Sequence, residues 1–207
     1  MLAAAWLGVS TTAQSGSFIQ TTSYGISAYT IDGITAGPDG ALWFTDYDNA
    51  IGRITTAGAV TLYPGPTGPS YAITTGPDGA LWFTEYLFNI GRMTTSGTVT
   101  EYQVTTDVSN LFGITAGPDG ALWFTEASGN IGRISTAGAV TWYPVPAANS
   151  TPFTIAAGPD GALWFTEQTG NNIGRITTAG TDAQQSTTRH CRGAGWSPLV
   201  HRVGILG

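Results

Sequence analysis

The sequence predicts an all-β protein, a β-propeller built of four-stranded antiparallel blades. The first observation behind this is a repeat: Gly-Pro-Asp-Gly-Ala-Leu-Trp-Phe-Thr begins at Gly37, Gly76, Gly117 and Gly158. The second is its constant sequel, Ile-Gly-Arg at Ile51, Ile90, Ile131 and Ile173. The period is about forty residues, the range of propeller blades and solenoid units. The third is that every signal inside a unit is β: short β-branched and aromatic runs between Gly and Pro turns, with no amphipathic-helix spacing.

The elements follow in order within the third unit. Gly113-Ile114-Thr115-Ala116 reads as a first strand, and Pro118-Asp119-Gly120 as a turn with Pro and Gly at suitable positions. Ala121 to Glu126 is the second strand, Asn130 to Ser135 the third, and Ala139 to Tyr143 the fourth, with a turn at Thr136-Ala137-Gly138. A Pro-rich crossover, Pro144-Val145-Pro146, leads to the next unit. Four antiparallel strands per unit make a propeller blade, whereas the coils of a parallel β-helix are shorter.

The organisation expected is an apolar N-terminal segment at 1–16, propeller repeats at 17–180 and an atypical tail at 181–207. Met1 to Val9 has no basic n-region and only a poor cleavage site near Ala13, so the cytoplasm is the expected compartment and export the alternative. The tail resembles nothing upstream, yet it carries His190, His201 and Cys191. With free codon choice, Arg189 to Val203 reads one base along as Pro-Gly-Ile-Ala-Ala-Gly-Pro-Asp-Gly-Ala-Leu-Trp-Phe-Thr-Glu, the repeat itself. The tail is therefore expected to arise from a shift of reading frame with a small deletion, and its His and Cys to carry no designed chemistry.

Composition excludes several functions. All seven basic residues are Arg and the net charge is −6, which gives no basic face for nucleic acid or an anionic membrane. A single cysteine excludes an intrachain disulfide and a cysteine-rich zinc cluster. No segment approaches the roughly 20 apolar residues of a membrane helix.

Within the repeat, Trp43, Trp82, Trp123 and Trp164 hold one fixed strand position, as packing between blades requires, with ligand stacking the alternative. Asp39, Asp78, Asp119 and Asp160 lie between Pro and Gly, where a carboxylate bonds its own turn; the loop offers too few oxygens for calcium. Asp46, Glu85, Glu126 and Glu167 end the second strand and Arg53, Arg92, Arg133 and Arg175 lie in the third, which suggests a recurring cross-strand ion pair.

Over about Ile31 to Gly180, these units, with Gly-Ile-Thr-Ala-Gly-Pro-Asp-Gly-Ala-Leu-Trp-Phe-Thr-Glu, Asn-Ile-Gly-Arg-Ile and a closing Val-Thr-Glu-Tyr, resemble the virginiamycin B lyase (streptogramin lyase) family. The resemblance implies a seven-bladed parent, of which these four repeats are a partial ring. It implies an elimination, assisted by Mg²⁺ and consuming no water, that opens the ester of a cyclic depsipeptide antibiotic. A base must take the proton alpha to a carbonyl while a divalent cation stabilises the enolate. The family pattern is a Glu ending the Trp-Phe-Thr-Glu strand, a His two residues later and a Glu in the fourth strand.

Only the second blade reproduces both carboxylates, as Glu85 and Glu101, and Leu87 takes the His position. The others depart further: Glu126 is followed by Ser128 and Trp142, Asp46 by Asp48 and Leu62, and Glu167 by Thr169 before the repeat is lost. No catalytic residue is therefore assigned, and Glu85 and Glu101 are the candidate Mg²⁺ ligands, with plain solvated acidic positions as the alternative.

Three readings follow. One is a lyase-like protein acting on a cyclic peptide but truncated and inactive in this chain; the second is a non-catalytic propeller that binds a ligand or a protein; the third is a truncated product without function. Phe18 to Tyr24 reads as an outermost strand ahead of the first unit, while the fourth unit lacks one. Open blade faces then predict self-association.

Overall fold

The structure is a computed structural model, and it describes residues 21–26, 30–86, 88–105, 109–146, 150–180 and 184–186. Blade 1 comprises β1 (Ile31–Ala36), β2 (Leu42–Asp46), β3 (Ala50–Ile54) and β4 (Val60–Pro64). Blade 2 comprises β5 (Ser70–Thr75), β6 (Leu81–Glu85), β7 (Asn89–Met93) and β8 (Val99–Gln103). Blade 3 has β9 (Leu111–Ala116), β10 (Leu122–Glu126), β11 (Asn130–Ile134) and β12 (Val140–Pro144). Blade 4 has β13 (Pro152–Ala157), β14 (Leu163–Glu167), β15 (Asn172–Ile176) and the short β16 (Gln184–Ser186). Each is an antiparallel meander in chain order. The predicted blade is thus borne out, and in the fourth unit pairing runs past Gly180, where Arg175 to Ile173 meet Gln184 to Ser186. Two expectations are corrected: residues 21–24 of the predicted Phe18–Tyr24 strand form no strand, and the fourth unit, expected to lack an outermost strand, has the short β16. Residues 1–16, 18–20 and the tail beyond 186 lie outside the described residues.

Turn chemistry sets the blade. In Gly-Pro-Asp-Gly the last glycine has φ of 72–75°, a left-handed conformation that the absent Cβ allows, as at Gly40 (75°) and Gly79 (72°). The turn Asp then does three things. Asp78 Oδ1 accepts from Ala80 N at 3.3 Å and from Trp82 Nε1 at 3.0 Å, and Oδ2 takes Arg92 Nε at 2.7 Å. The same set recurs at Asp39, Asp119 and Asp160.

This corrects the expected ion pair. Arg92 sits opposite Trp82, not opposite Glu85 at the far end of the strand, so its guanidinium reaches the turn Asp and lies over the indole, 5.9 Å from the ring centre. Burial pushes the Asp78 carboxyl up, but the bonds from Trp82 and Arg92 outweigh it and hold the group below the ordinary carboxylate range. Asp78→Ala removes all three bonds from a half-buried site, and about 1–3 kcal/mol of stability is expected to go with it, read by urea unfolding.

The blades stack in sequence, with β1 against β5, β5 against β9 and β9 against β13. Three apolar clusters fill the three junctions. Trp43 and Ile51 meet Ile73, Leu81, Phe83 and Met93. Trp82 and Ile90 meet Ile114, Leu122 and Phe124. Trp123 and Ile131 meet Ile155, Leu163 and Phe165. The expected packing role of the tryptophans therefore holds for three of them, all 0% exposed, while Trp164 is 37% exposed on the outer face of blade 4.

A hydroxyl relay crosses each junction. Thr45 Oγ1 accepts from Gly33 N in its own blade and donates to Tyr71 O of the next, at 2.8 and 2.7 Å. Thr84 does so between Ala72 N and Phe112 O, and Thr125 between Gly113 N and Phe153 O. Every buried hydroxyl on this line is satisfied on both sides, as a dry junction requires. Among the described residues no helix is long and apolar enough to cross a membrane.

Candidate functional site

Side chains alternate across a strand, so Leu81, Phe83 and Glu85 of β6 share one face of blade 2. Phe83 is paired with Gly91, and Gly91 with Glu101 of β8, which puts Glu101 on that same face. Gly91 is required there, because a Cβ would collide with the Phe83 ring. The face is the one that receives blade 1, and the crossover between the two blades closes over its end. Thr67 of that crossover donates its amide to Glu101 Oε1 at 2.7 Å and its hydroxyl to Oε2 at 3.0 Å.

Glu85 is buried, at 1% exposure. Its Oε2 accepts from Asn89 Nδ2 at 3.2 Å, whereas Oε1 is buried with no donor, and so is the hydroxyl of Ser70, its cross-strand partner. Burial, and then the Glu101 charge, push the Glu85 carboxyl up to about 7, with bonds from Asn89 and Thr67 holding it back. The structure thus brings together the two carboxylates picked out by sequence. It also shows that Glu85 is no solvated acid.

The equivalent places in the other blades lack this pair. Blade 3 has Trp142 where Glu101 stands, edge-on to Phe124, and Glu126 is bonded by Ser128 Oγ and Asn130 Nδ2 at 2.7 and 2.6 Å. Blade 1 has Leu62. Asp46 and Glu167 are buried as well, at 3% and 1% exposure. Leu87, His190, His201 and Cys191 lie outside the described residues.

Two carboxylates and a neighbouring hydroxyl suit Mg²⁺, which takes one or two carboxylates and keeps several waters. A buried acceptor without a donor, facing a like charge, is the environment that a cation relieves. Among the described residues no group of three or more His, Cys, Asp or Glu side chains comes together, so a zinc-type ligand set is absent from them.

Sequence reasoning missed Thr67, Ser70 and Asn89; the repeated Asn at the start of the third strand was the available signal. It also missed a band of rings at the same end of the sheets. Tyr71 meets Tyr47 (6.2 Å between ring centres), Tyr86 (5.9 Å) and Phe112 (5.8 Å), and Phe112 meets Phe153 at 4.7 Å. Tyr47 and Phe153 are exposed and Tyr71 half-buried, so the band is an apolar surface beside Glu85 rather than core.

A profile of the virginiamycin B lyase family matches residues 14–191. Among solved structures, a streptogramin B lyase is 40% identical with a TM-score of 0.76, over 81% of this chain and 58% of that one. The virginiamycin B lyase of Staphylococcus aureus is 42% identical with a TM-score of 0.77, over 81% and 59%. A catalytically inactive form of that enzyme, solved with quinupristin, is 44% identical with a TM-score of 0.70, over 75% and 54%. The chain thus spans less than three-fifths of the length of these structures. No curated protein sequence matches it.

Proposed function

The chain belongs to the virginiamycin B lyase family, and on that premise we propose that it binds a cyclic depsipeptide beside Mg²⁺ held by Glu85 and Glu101, without eliminating the ester itself. The observation that carries this is Glu85, buried with an Oε1 that has no donor, set against a second carboxylate, Glu101; a buried Oε1 of this kind recurs at Glu167, but Leu62, Trp142 and Gln185 stand where blade 2 has Glu101. The solved relative with quinupristin supplies the ligand class.

The elimination needs a base to take the proton alpha to the carbonyl, so that the electron pair forms a C=C bond as the ester C–O bond breaks and a carboxylate departs. Mg²⁺ supplies charge stabilisation for the enolate that this creates. In this chain Glu85 and Glu101 would hold the cation and Thr67 would orient Glu101. Tyr71, Tyr86 and Phe112 would offer apolar area to the ligand's ring substituents. Leu87, where the family pattern has His, can neither accept nor deliver a proton, so binding is retained and elimination is not.

The test separates the two halves. Titration calorimetry of the full chain with Mg²⁺ is expected to give binding that weakens at least tenfold in Glu101→Gln; an unchanged affinity would remove the site. Chromatography of a type B streptogramin incubated with the chain and Mg²⁺ is expected to show no linear product. The assay must separate by retention, because elimination leaves the mass unchanged while hydrolysis adds water. A linear product that disappears with chelator would make the chain a lyase and refute the role given to Leu87.

A further inference from the structure

A cleft of about 620 Å³ opens between blades 3 and 4, at the end of the sheets where β10 and β14 finish, and its size suits a small ligand. It lies at a different junction from Glu85 and Glu101. Ser128, Asn130, Ser150, Thr151 and Thr169 supply its polar groups, and Ala127 and Val145 an apolar wall. Among the described residues no basic or aromatic side chain lines it.

Ser109 and Ser150 hold one repeat position. Each stands two residues before the partner of the acid that ends the second strand, Leu111 opposite Glu126 and Pro152 opposite Glu167. In blade 3 the Ser109 hydroxyl accepts from Ser128 N at 3.1 Å and so ties down the turn of that blade. In blade 4 the Ser150 hydroxyl has no hydrogen-bond partner, although the residue is only 5% exposed. Thr169, at the place of Ser128, instead pairs its hydroxyl with that of Thr151 at 2.8 Å. A buried hydroxyl without a partner has lost its bonds to water and gained none, and a ligand in the cleft would satisfy it.

The bonds around Glu126 decide what that ligand brings. Ser128 Oγ donates to Glu126 Oε2 at 2.7 Å, and Asn130 Nδ2 donates to the same oxygen at 2.6 Å and to Ser128 Oγ at 3.2 Å. The hydroxyl proton of Ser128 and both amide protons of Asn130 are thereby committed. What these side chains still offer is acceptors, a lone pair on Oγ and the Oδ1 carbonyl. Thr151 and Thr169 share one proton between two oxygens and add further lone pairs. Behind them Glu126, 4% exposed, carries a charge that Ser128 and Asn130 bond as neutral donors. The Arg side chains of the described residues pair with the turn Asp at the opposite end of the strands, and the chain has no Lys. Acceptors backed by a buried carboxylate favour a cation that carries its own N–H donors.

We propose that this cleft binds an organic primary ammonium ion, its –NH₃⁺ group received among the Ser128, Asn130 and Ser150 oxygens and its alkyl chain lying on Ala127 and Val145. Every residue of the site belongs to blades 3 and 4, so it depends neither on the carboxylate pair of blade 2 nor on what adjoins the arc. A free amine and the lysine side chain of a peptide present the same group.

Proton–nitrogen correlation spectra of the full chain, titrated with n-butylammonium chloride at neutral pH, test this. The amide signals of Gly129, Thr151 and Thr169 are expected to move together with a single binding constant. Tetramethylammonium, which has the charge but no N–H, and n-butanol, which has no charge, are each expected to bind at least tenfold more weakly. Ser150→Ala removes a hydroxyl that bonds nothing in the free protein, so its melting temperature is expected to equal or exceed that of the wild type while ammonium affinity falls at least tenfold. Glu126→Gln, which keeps an acceptor for Ser128 and Asn130, is expected to lower the affinity as much. Nα-acetyl-lysine amide serves as the peptide probe; the tighter binder of it and n-butylammonium names the source, and either ranking supports the site. Signals that stay still, shifts centred on Glu85 and Glu101, tetramethylammonium or n-butanol bound as tightly as n-butylammonium, or full affinity in Ser150→Ala would each overturn it.

Discussion

Trp123→Ala is expected to cost about 3–5 kcal/mol of stability, the usual range for truncating a buried Trp, whereas Trp164→Ala costs about 1–2 kcal/mol in the monomer. The two residues occupy the same position of the same nonapeptide. Trp123 is fully enclosed by Ile155, Leu163 and Phe165 of the next blade and stacked on Tyr143. Its loss leaves a cavity with rigid walls at the third junction and unfastens blade 4 from the rest, since in a repeat array each unit is held by its neighbours. Trp164 keeps its bond to Asp160, at 3.0 Å, but over a third of its surface faces solvent, so its removal opens no enclosed void. Urea unfolding of both variants, at concentrations low enough to keep the chain monomeric, gives the comparison. Equal losses would mean that Trp164 is covered in solution.

Glu85→Gln is expected to stabilise the cation-free protein at pH 8 and to leave it unchanged near pH 4. The folded-state value of about 7 lies above the ordinary 4.5, so between these the folded protein binds more protons than the unfolded chain. Stability therefore falls as pH rises through that window and stays low above it. The loss is on the order of 2–3 kcal/mol, after allowance for solvent screening. Gln carries no charge and removes the slope. Burial is the larger cause and the Glu101 charge the second, so Glu101→Gln is expected to flatten the slope only in part. Saturating Mg²⁺ flattens it in the wild type, because the cation offsets the charge that burial penalises. Chemical unfolding at several pH values reads all of these, and a wild-type stability that is flat from pH 5 to 8 would contradict the buried Glu85.

The fold was legible because the repeat places identical residues at identical strand positions, and periodicity survives without knowledge of tertiary contacts. The carboxylate pair was legible as well, from the spacing of Glu85 and Glu101 and the family pattern. Its burial was not, since that depends on the crossover carrying Thr67, whose sequence gives no hint that it folds back on β8. The partner of Arg92 was misjudged for a related reason. Sequence shows that Glu85 and Arg92 lie on neighbouring strands, but the register decides which residue faces which, and it puts Trp82 opposite Arg92 and the turn Asp within reach. Likewise the identity of four Leu-Trp-Phe motifs conceals that three are packed against a following blade, whereas among the described residues Trp164 is not.

The threonine hydroxyls at the junctions have a consequence for descent. At the three junctions each takes its hydrogen bond from its own blade and gives one forward to the next, so the same donor meets the same acceptor at every seam. A gene segment encoding one whole unit can be duplicated, lost or exchanged by unequal recombination, and the contacts formed at the new seam are ones that the protein already makes. Blade number is then free to change in evolution without the invention of a new interface, and a residue such as Glu101 can be altered in a single copy while its sisters keep the scaffold intact.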